Sequence, residues 1–102
     1  MAFTNVATTE EMGPNTAKQV VVNGKKLALF NRDGAFYAID DTCTHRGGPL
    51  SEGYCEGAVV TCPWHGARFD LKTGAHLSPP APTDVTAYPV QVAGNEVQVD
   101  LV

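Results

Sequence analysis

Two short segments of the chain hold the residue types that bind metals. One is Cys43-Thr44-His45-Arg46-Gly47-Gly48 and the other is Cys62-Pro63-Trp64-His65-Gly66. Each offers one thiolate and one imidazole, and sixteen residues, 46 to 61, separate His45 from Cys62. Four soft or borderline ligands carried on two loops can enclose a metal centre. Glycines close to both histidines let the backbone turn tightly, so that its N–H groups can face a sulfur. With three cysteines the chain has an odd number, and too few for a disulfide scaffold. Cysteines beside histidines then point to metal. Two Cys and two His also suit tetrahedral Zn²⁺, so a structural zinc site is the alternative for all four. The β-rich surroundings and the Cys-x-His spacing differ from a zinc finger, which wants wider spacing and a helix for its histidines.

The remaining candidates read more plainly. Cys55, in Gly53-Tyr54-Cys55-Glu56, fits neither segment and is expected to be a free thiol. His76 has no cysteine beside it and reads as a surface or turn histidine rather than a ligand. Arg46 and Arg68 flank the segments, where they could meet acidic groups of a partner or simply face solvent.

The ends of the chain must supply the scaffold. Gln19-Val20-Val21-Val22 runs into Asn23-Gly24, a pair that tolerates the positive φ of a tight hairpin turn. Leu27-Ala28-Leu29-Phe30, a turn over Asn31-Arg32-Asp33-Gly34, and Phe36-Tyr37-Ala38-Ile39 complete a β-meander. Val85, Ala87, Val90 and Val92 lead to a turn at Ala93-Gly94-Asn95, and Val97, Val99 and Leu101 alternate beyond it. Before the meander, Thr8 and Glu11 have capping-box spacing and Pro14 follows, which predicts one capped helical turn. Residues 41–83 carry all three Cys, all three His and the one Trp, with weak periodicity apart from Ala58–Thr61 and Ala67–Asp70. The simplest architecture is a β-scaffold made from both ends, with a loop-rich insertion mounted on it.

Composition narrows the function. A chain of 102 residues fits one domain. Seven Lys and Arg against eleven Asp and Glu give a net charge of −4, which argues against a phosphate-binding face for nucleic acid. No apolar run approaches the roughly 18 residues of a membrane helix. The opening Met-Ala-Phe-Thr-Asn-Val-Ala has neither a basic start nor an apolar stretch, so it does not read as a signal peptide. A reducing cytoplasm is the expected location.

The pattern Cys-x-His, sixteen residues, then Cys-Pro-x-His-Gly resembles the binding pattern of Rieske [2Fe-2S] proteins. The preceding meander, Gly48-Pro49-Leu50 and the late Pro-rich segment extend the likeness over nearly the whole chain. The resemblance implies an all-β fold, a Rieske-like antiparallel β-sandwich scaffold over about 1–41 and 84–102. A cluster-binding insertion would occupy about 42–83. It also implies one [2Fe-2S] cluster, with Cys43 and Cys62 on one iron and His45 and His65 on the other. Two ferric ions and two sulfides carry about two positive charges, which two thiolates cancel. Adding an electron to this near-neutral site costs less than adding one to a four-thiolate site. The potential therefore rises from roughly −400 mV to between roughly −150 and +300 mV.

High-potential members carry a Ser and a Tyr just after the second loop, and an extra Cys in each loop that forms a disulfide. Here Ala67 and Phe69 stand at the first two positions, and neither side chain can donate a hydrogen bond. Gly47 or Gly48 and Trp64 stand where the extra cysteines would be. Both departures resemble the soluble ferredoxins of oxygenase systems. The implied function is a monomeric one-electron carrier between a flavin-containing, NAD(P)H-dependent reductase and a terminal Rieske oxygenase. The chain shows no Gly-x-Gly-x-x-Gly and no mononuclear iron site, so it is not expected to be an enzyme. A nitrite reductase small subunit and a zinc-stabilised interaction module are the alternatives. Trp64 would shield the cluster, and Ser78-Pro79-Pro80-Ala81-Pro82 resembles the proline loop that covers it. Both partners would dock in turn on one face around Arg46, Gly47, Trp64, His65 and Pro80.

Overall fold

The apolar and β-branched runs of the N-terminal part become four strands: β1 (Phe3–Thr8), β2 (Thr16–Val22), β3 (Lys25–Arg32) and β4 (Ala35–Asp40). The structure is a computed structural model that describes residues 3–42, 49–63, 67–78 and 84–100. Asn23 and Gly24 both take positive φ, 50° and 79°, so the β2–β3 turn has the left-handed geometry that matches strand twist. Asp33 and Gly34 do the same at 54° and 93°. The second turn is therefore tighter than the four residues expected, and Asn31 and Arg32 stay in β3.

The expected helical turn after Thr8 does not form. The capping-box hydrogen bonds are nevertheless made: Thr8 N–H donates to Glu11 Oε1 at 2.8 Å, and Glu11 N–H donates to Thr8 Oγ1 at 3.3 Å. They close a turn instead of starting a helix. Met12, just past the turn, is buried, and its carbonyl accepts from Asn31 Nδ2 at 2.8 Å.

The middle of the chain contains more regular structure than its weak periodicity predicts. After a 3₁₀ turn at Leu50–Glu52 come β5 (Tyr54–Glu56), β6 (Val59–Thr61), β7 (Arg68–Asp70) and β8 (His76–Ser78). Each is three residues long, too short for alternation to show. The C-terminal part also departs from expectation. The run from Val85 to Val92 is not one strand but two, β9 (Ala87–Tyr88) and β10 (Val90–Ala93), followed by β11 (Glu96–Asp100). Pro89 divides them, since it has no N–H to give a ladder. Its carbonyl accepts from Asp100 N–H at 3.0 Å.

The strands form three antiparallel sheets, in the orders β1-β11-β10, β2-β3-β4-β9 and β5-β6-β7-β8. The second lies between two apolar cores. Leu27, Ala28, Leu29 and Phe30 of β3 are all fully buried, yet they alternate in where they point. Leu27 and Leu29 join Val20, Val22, Val97 and Val99 in one core. Ala28 and Phe30 join Val60, Cys62, Phe69 and Leu71 in the other. Leu29→Ala should therefore cost about 2–5 kcal/mol. Val21→Ala, at a position 62% exposed, should change stability by no more than about 0.5 kcal/mol. Urea midpoints of the two variants check the contrast.

Candidate metal centre

Three segments are expected to build the site, 43–48, 62–66 and 78–82, and described residues at the ends of each are tied to one another. The first leaves after Thr42, which forms an antiparallel bridge with Pro49. Next to it, Leu50 N–H donates to the Asp41 carbonyl at 2.7 Å, and Ser51 N–H to Asp41 Oδ1 at 2.7 Å. Gln19 Nε2 donates to Asp41 Oδ2, linking β2 to the same base.

The second segment joins β6 to β7, which pair with each other. Thr61 pairs with Arg68, and Cys62 N–H donates to the Ala67 carbonyl at 2.7 Å, so both sides of the loop are fixed. Cys62 is only 2% exposed and packs in the core with Ala67 and Phe69.

The third segment is closed by His76 and Asp84. His76 N–H donates to Asp84 Oδ1 at 2.9 Å, and its Nδ1 lies 2.6 Å from the same oxygen. Beneath this pair Val85 N–H donates to the Gly74 carbonyl at 2.9 Å. Gly74 has φ +78°, and a Cβ there would lie 2.1 Å from the Val85 carbonyl oxygen, so only glycine fits. On its other side the returning chain is held by Asp40, whose N–H donates to the Thr86 carbonyl at 3.0 Å and whose Oδ2 accepts from Thr86 N–H at 3.2 Å. One apolar core gathers the three bases: Leu50, Cys62, Ala67 and Val85 all belong to it.

Of the four expected ligands, Cys62 lies within the described residues. Cys43, His45 and His65 lie outside them, as do Arg46, Gly47, Gly48, Trp64 and Pro80. Among the described residues no three His, Cys, Asp or Glu side chains gather as a metal site. Cys55 is half-buried on β5 and forms no disulfide. Burial raises its thiol pKa, and Arg32 opposes that rise. His76 is exposed, as expected, but it is a partner of Asp84 rather than a bystander. Arg68 is exposed at the start of β7, beside the second loop.

Sequence reasoning overlooked Asp41, Gly74 and Asp84. A pair of adjacent acids at the end of an apolar strand, just ahead of the Cys-x-His segment, was a signal for Asp41. Asp84 carried none, since its partner is eight residues away in the sequence.

The residues fit an iron–sulfur centre. A thiol side chain on a fixed hairpin base, walled by apolar groups, is shielded from water on its protein side. The expected two-Cys, two-His set would supply two anionic and two neutral donors. The Rieske [2Fe-2S] domain matches residues 2–89. The chain belongs to the Rieske family. Its cofactor is accordingly one Rieske-type [2Fe-2S] cluster rather than zinc. The biphenyl dioxygenase ferredoxin subunit of Pseudomonas sp. (strain KKS102) is 42% identical over 101 residues, 98% of this chain and 93% of that one. The ferredoxin of carbazole 1,9a-dioxygenase from Nocardioides aromaticivorans IC177 superposes with a TM-score of 0.91 at 31% identity, covering 97% of both chains. A ferredoxin solved in complex with the reduced oxygenase of carbazole 1,9a-dioxygenase matches with a TM-score of 0.88 at 37% identity, over 95% of this chain and 91% of that one. These relatives are named as ferredoxins, and this Rieske chain is likewise an electron-transfer component and not a catalytic subunit.

The clasp of the third segment has a pH signature. Hydrogen bonds from the His76 backbone and then its ring hold the Asp84 carboxyl below its ordinary value of 3.8. A depressed carboxyl contributes its stabilisation above the ordinary value and loses it as pH falls through the lowered one. A carbon-detected NMR titration should place the Asp84 midpoint below 3.8. His76→Ala should move that midpoint upward.

Proposed function

We propose that this chain takes one electron from an NAD(P)H-dependent flavoprotein reductase and passes it to a terminal Rieske oxygenase. The observation that carries this reading is that one apolar core fixes the bases of all three site segments around Cys62, in a chain of ferredoxin relatives. The complex of a related ferredoxin with its oxygenase supports the second half of the route. No helix among the described residues is long and apolar enough to cross a membrane, which suits a carrier moving between partners in the cytoplasm. The chain works as one Rieske domain, with a scaffold of about 1–41 and 84–102 and a cluster-binding insertion of about 42–83.

In this reading Cys43 and Cys62 hold one iron and His45 and His65 the other. When bound, the cluster accepts and returns a single electron. The two thiolates balance the charge of the centre. The two neutral imidazoles keep it reducible within the Rieske range. The face around Arg46, Gly47, Trp64, His65 and Pro80 receives each partner in turn, in a small contact below about 1,200 Å².

Purified protein should contain about two iron and two sulfide per chain. Cys43→Ser and His65→Ala should each abolish the Rieske absorption and EPR spectra. A colourless, zinc-loaded protein from iron-replete cells would overturn the cluster reading. Excess redox-inactive oxygenase should slow reduction by the reductase, and simultaneous binding without interference would refute the shared face.

The potential should lie near the low end, roughly −150 mV. Ala67 and Phe69 are both fully buried in the core that holds Cys62, and neither offers a hydroxyl to the centre. Voltammetry of Ala67→Ser with Phe69→Tyr should show a rise, provided that the new hydroxyls reach a sulfur. A wild-type value well above zero at neutral pH would contradict this account.

A further inference from the structure

The 3₁₀ turn over Leu50–Glu52 ends on Gly53. Gly53 N–H donates to the Leu50 carbonyl at 3.0 Å, and Leu50 N–H donates in turn to the Asp41 carbonyl at 2.7 Å. Gly53 is thus tied to the chain on both sides of residues 43–48, through Leu50 after them and Asp41 before them. Its φ of −80° and ψ of 175° are extended values that any residue adopts, so conformation does not call for glycine here. Space does. A Cβ on residue 53 would lie 2.2 Å from the Thr61 carbonyl oxygen, 3.0 Å from Val60 Cγ2 and 3.2 Å from the Leu50 carbonyl oxygen.

The Thr61 oxygen is one end of the peptide plane that joins Thr61 to Cys62. The six atoms of that plane, Cys62 Cα among them, move as one rigid body. Its other end is also held, since Cys62 N–H donates to the Ala67 carbonyl at 2.7 Å. Gly53 therefore closes on the oxygen side of a peptide that Ala67 grips on the N–H side. A methyl group on residue 53 would force the oxygen back by about 1 Å to reach ordinary contact, and Cys62 Cα would move with it. Gly74 makes an equally close approach, 2.1 Å from a Cβ to the Val85 oxygen. The peptide it meets joins Val85 to Thr86 and carries no expected ligand.

We infer that Gly53 is a positioning residue for the metal centre: its missing side chain lets the chain leaving the first ligand segment close against the Thr61–Cys62 peptide, and so sets where the Cys62 thiolate is presented. The inference rests on Cys62 as a ligand. One residue then spaces both ligand segments, because it lies against the chain after the first and the chain before the second.

The test compares Gly53→Ala with Gly74→Ala as holoproteins, read by urea midpoint, iron content and EPR g values. Each alanine meets a backbone carbonyl, so both should lower the midpoint. Only Gly53→Ala should shift the Rieske g values, or lose iron from a chain that keeps its β-sheet circular dichroism. A glycine needed for packing alone would lower the midpoint and leave g values and iron at wild type. That result overturns the inference, as do equal spectral shifts in the two variants. A Gly53→Ala chain that does not fold also overturns it, because the glycine then serves the scaffold rather than the cysteine. If Gly74→Ala does not fold, Leu29→Ala, in the other core, replaces it as the destabilised control. Cys62→Ser tests the ligand assignment separately, since a variant that keeps the Rieske spectrum removes Cys62 from the centre whatever Gly53→Ala does.

Discussion

The burial of β3 on both faces is the constraint on which the rest depends. Leu27 and Leu29 serve one core while Ala28 and Phe30 serve the other, so from Leu27 to Phe30 the strand has no solvent face. A slip of one residue in its register would send the leucines into the space shaped for Ala28 and Phe30. The two hairpin turns with paired positive φ prevent that slip by fixing both neighbours of β3. One consequence reaches the metal centre. The core on the Phe30 side is the one that holds Leu50, Cys62, Ala67 and Val85, so these residues in and beside the site segments are held by the same alternation.

The manner of tying those segments follows from what their residues must do. Ligand side chains cannot also serve as braces. The braces are therefore backbone groups, such as Cys62 N–H on Ala67 and Leu50 N–H on Asp41, or acids set just outside the loops, such as Asp41 and Asp84. Backbone bonds between buried partners are costly to leave unmade, which gives each loop a defined entry and exit. Packing then converts three separate ties into one frame. Ala67 and Phe69 both fill the core, and neither side chain carries a hydroxyl.

What could be read from the residues, and what could not, divides along physical lines. The family was legible because its pattern is written in metal-binding residue types at a set spacing. The β2–β3 hairpin was legible because Asn23-Gly24 solves a local backbone problem. The strands β5 and β8 were not, because three residues give no period and their pairing is set by neighbours far along the chain. Thr8 and Glu11 made the hydrogen bonds that their spacing predicts, and tertiary demand on Met12 decided that no helix followed. Pro89 shows the converse: a local signal in plain view, whose missing N–H splits one apparent strand between two sheets. Gly74 and Asp84 stayed hidden because their roles exist only once β8 and the returning chain are side by side.

The pairing of β1 with β11 has a consequence for the order of assembly. Phe3 stands opposite Asp100, and β11 lies between β1 and β10. During synthesis the first strand therefore emerges long before the strand it needs, and it waits with both edges unpaired. Contacts of such long sequence separation slow folding. The meander of β2, β3 and β4 is local and can form early, but its Leu29 face stays uncovered until Val97 and Val99 arrive. A nascent chain arrested before β11 would thus present that apolar face to chaperones.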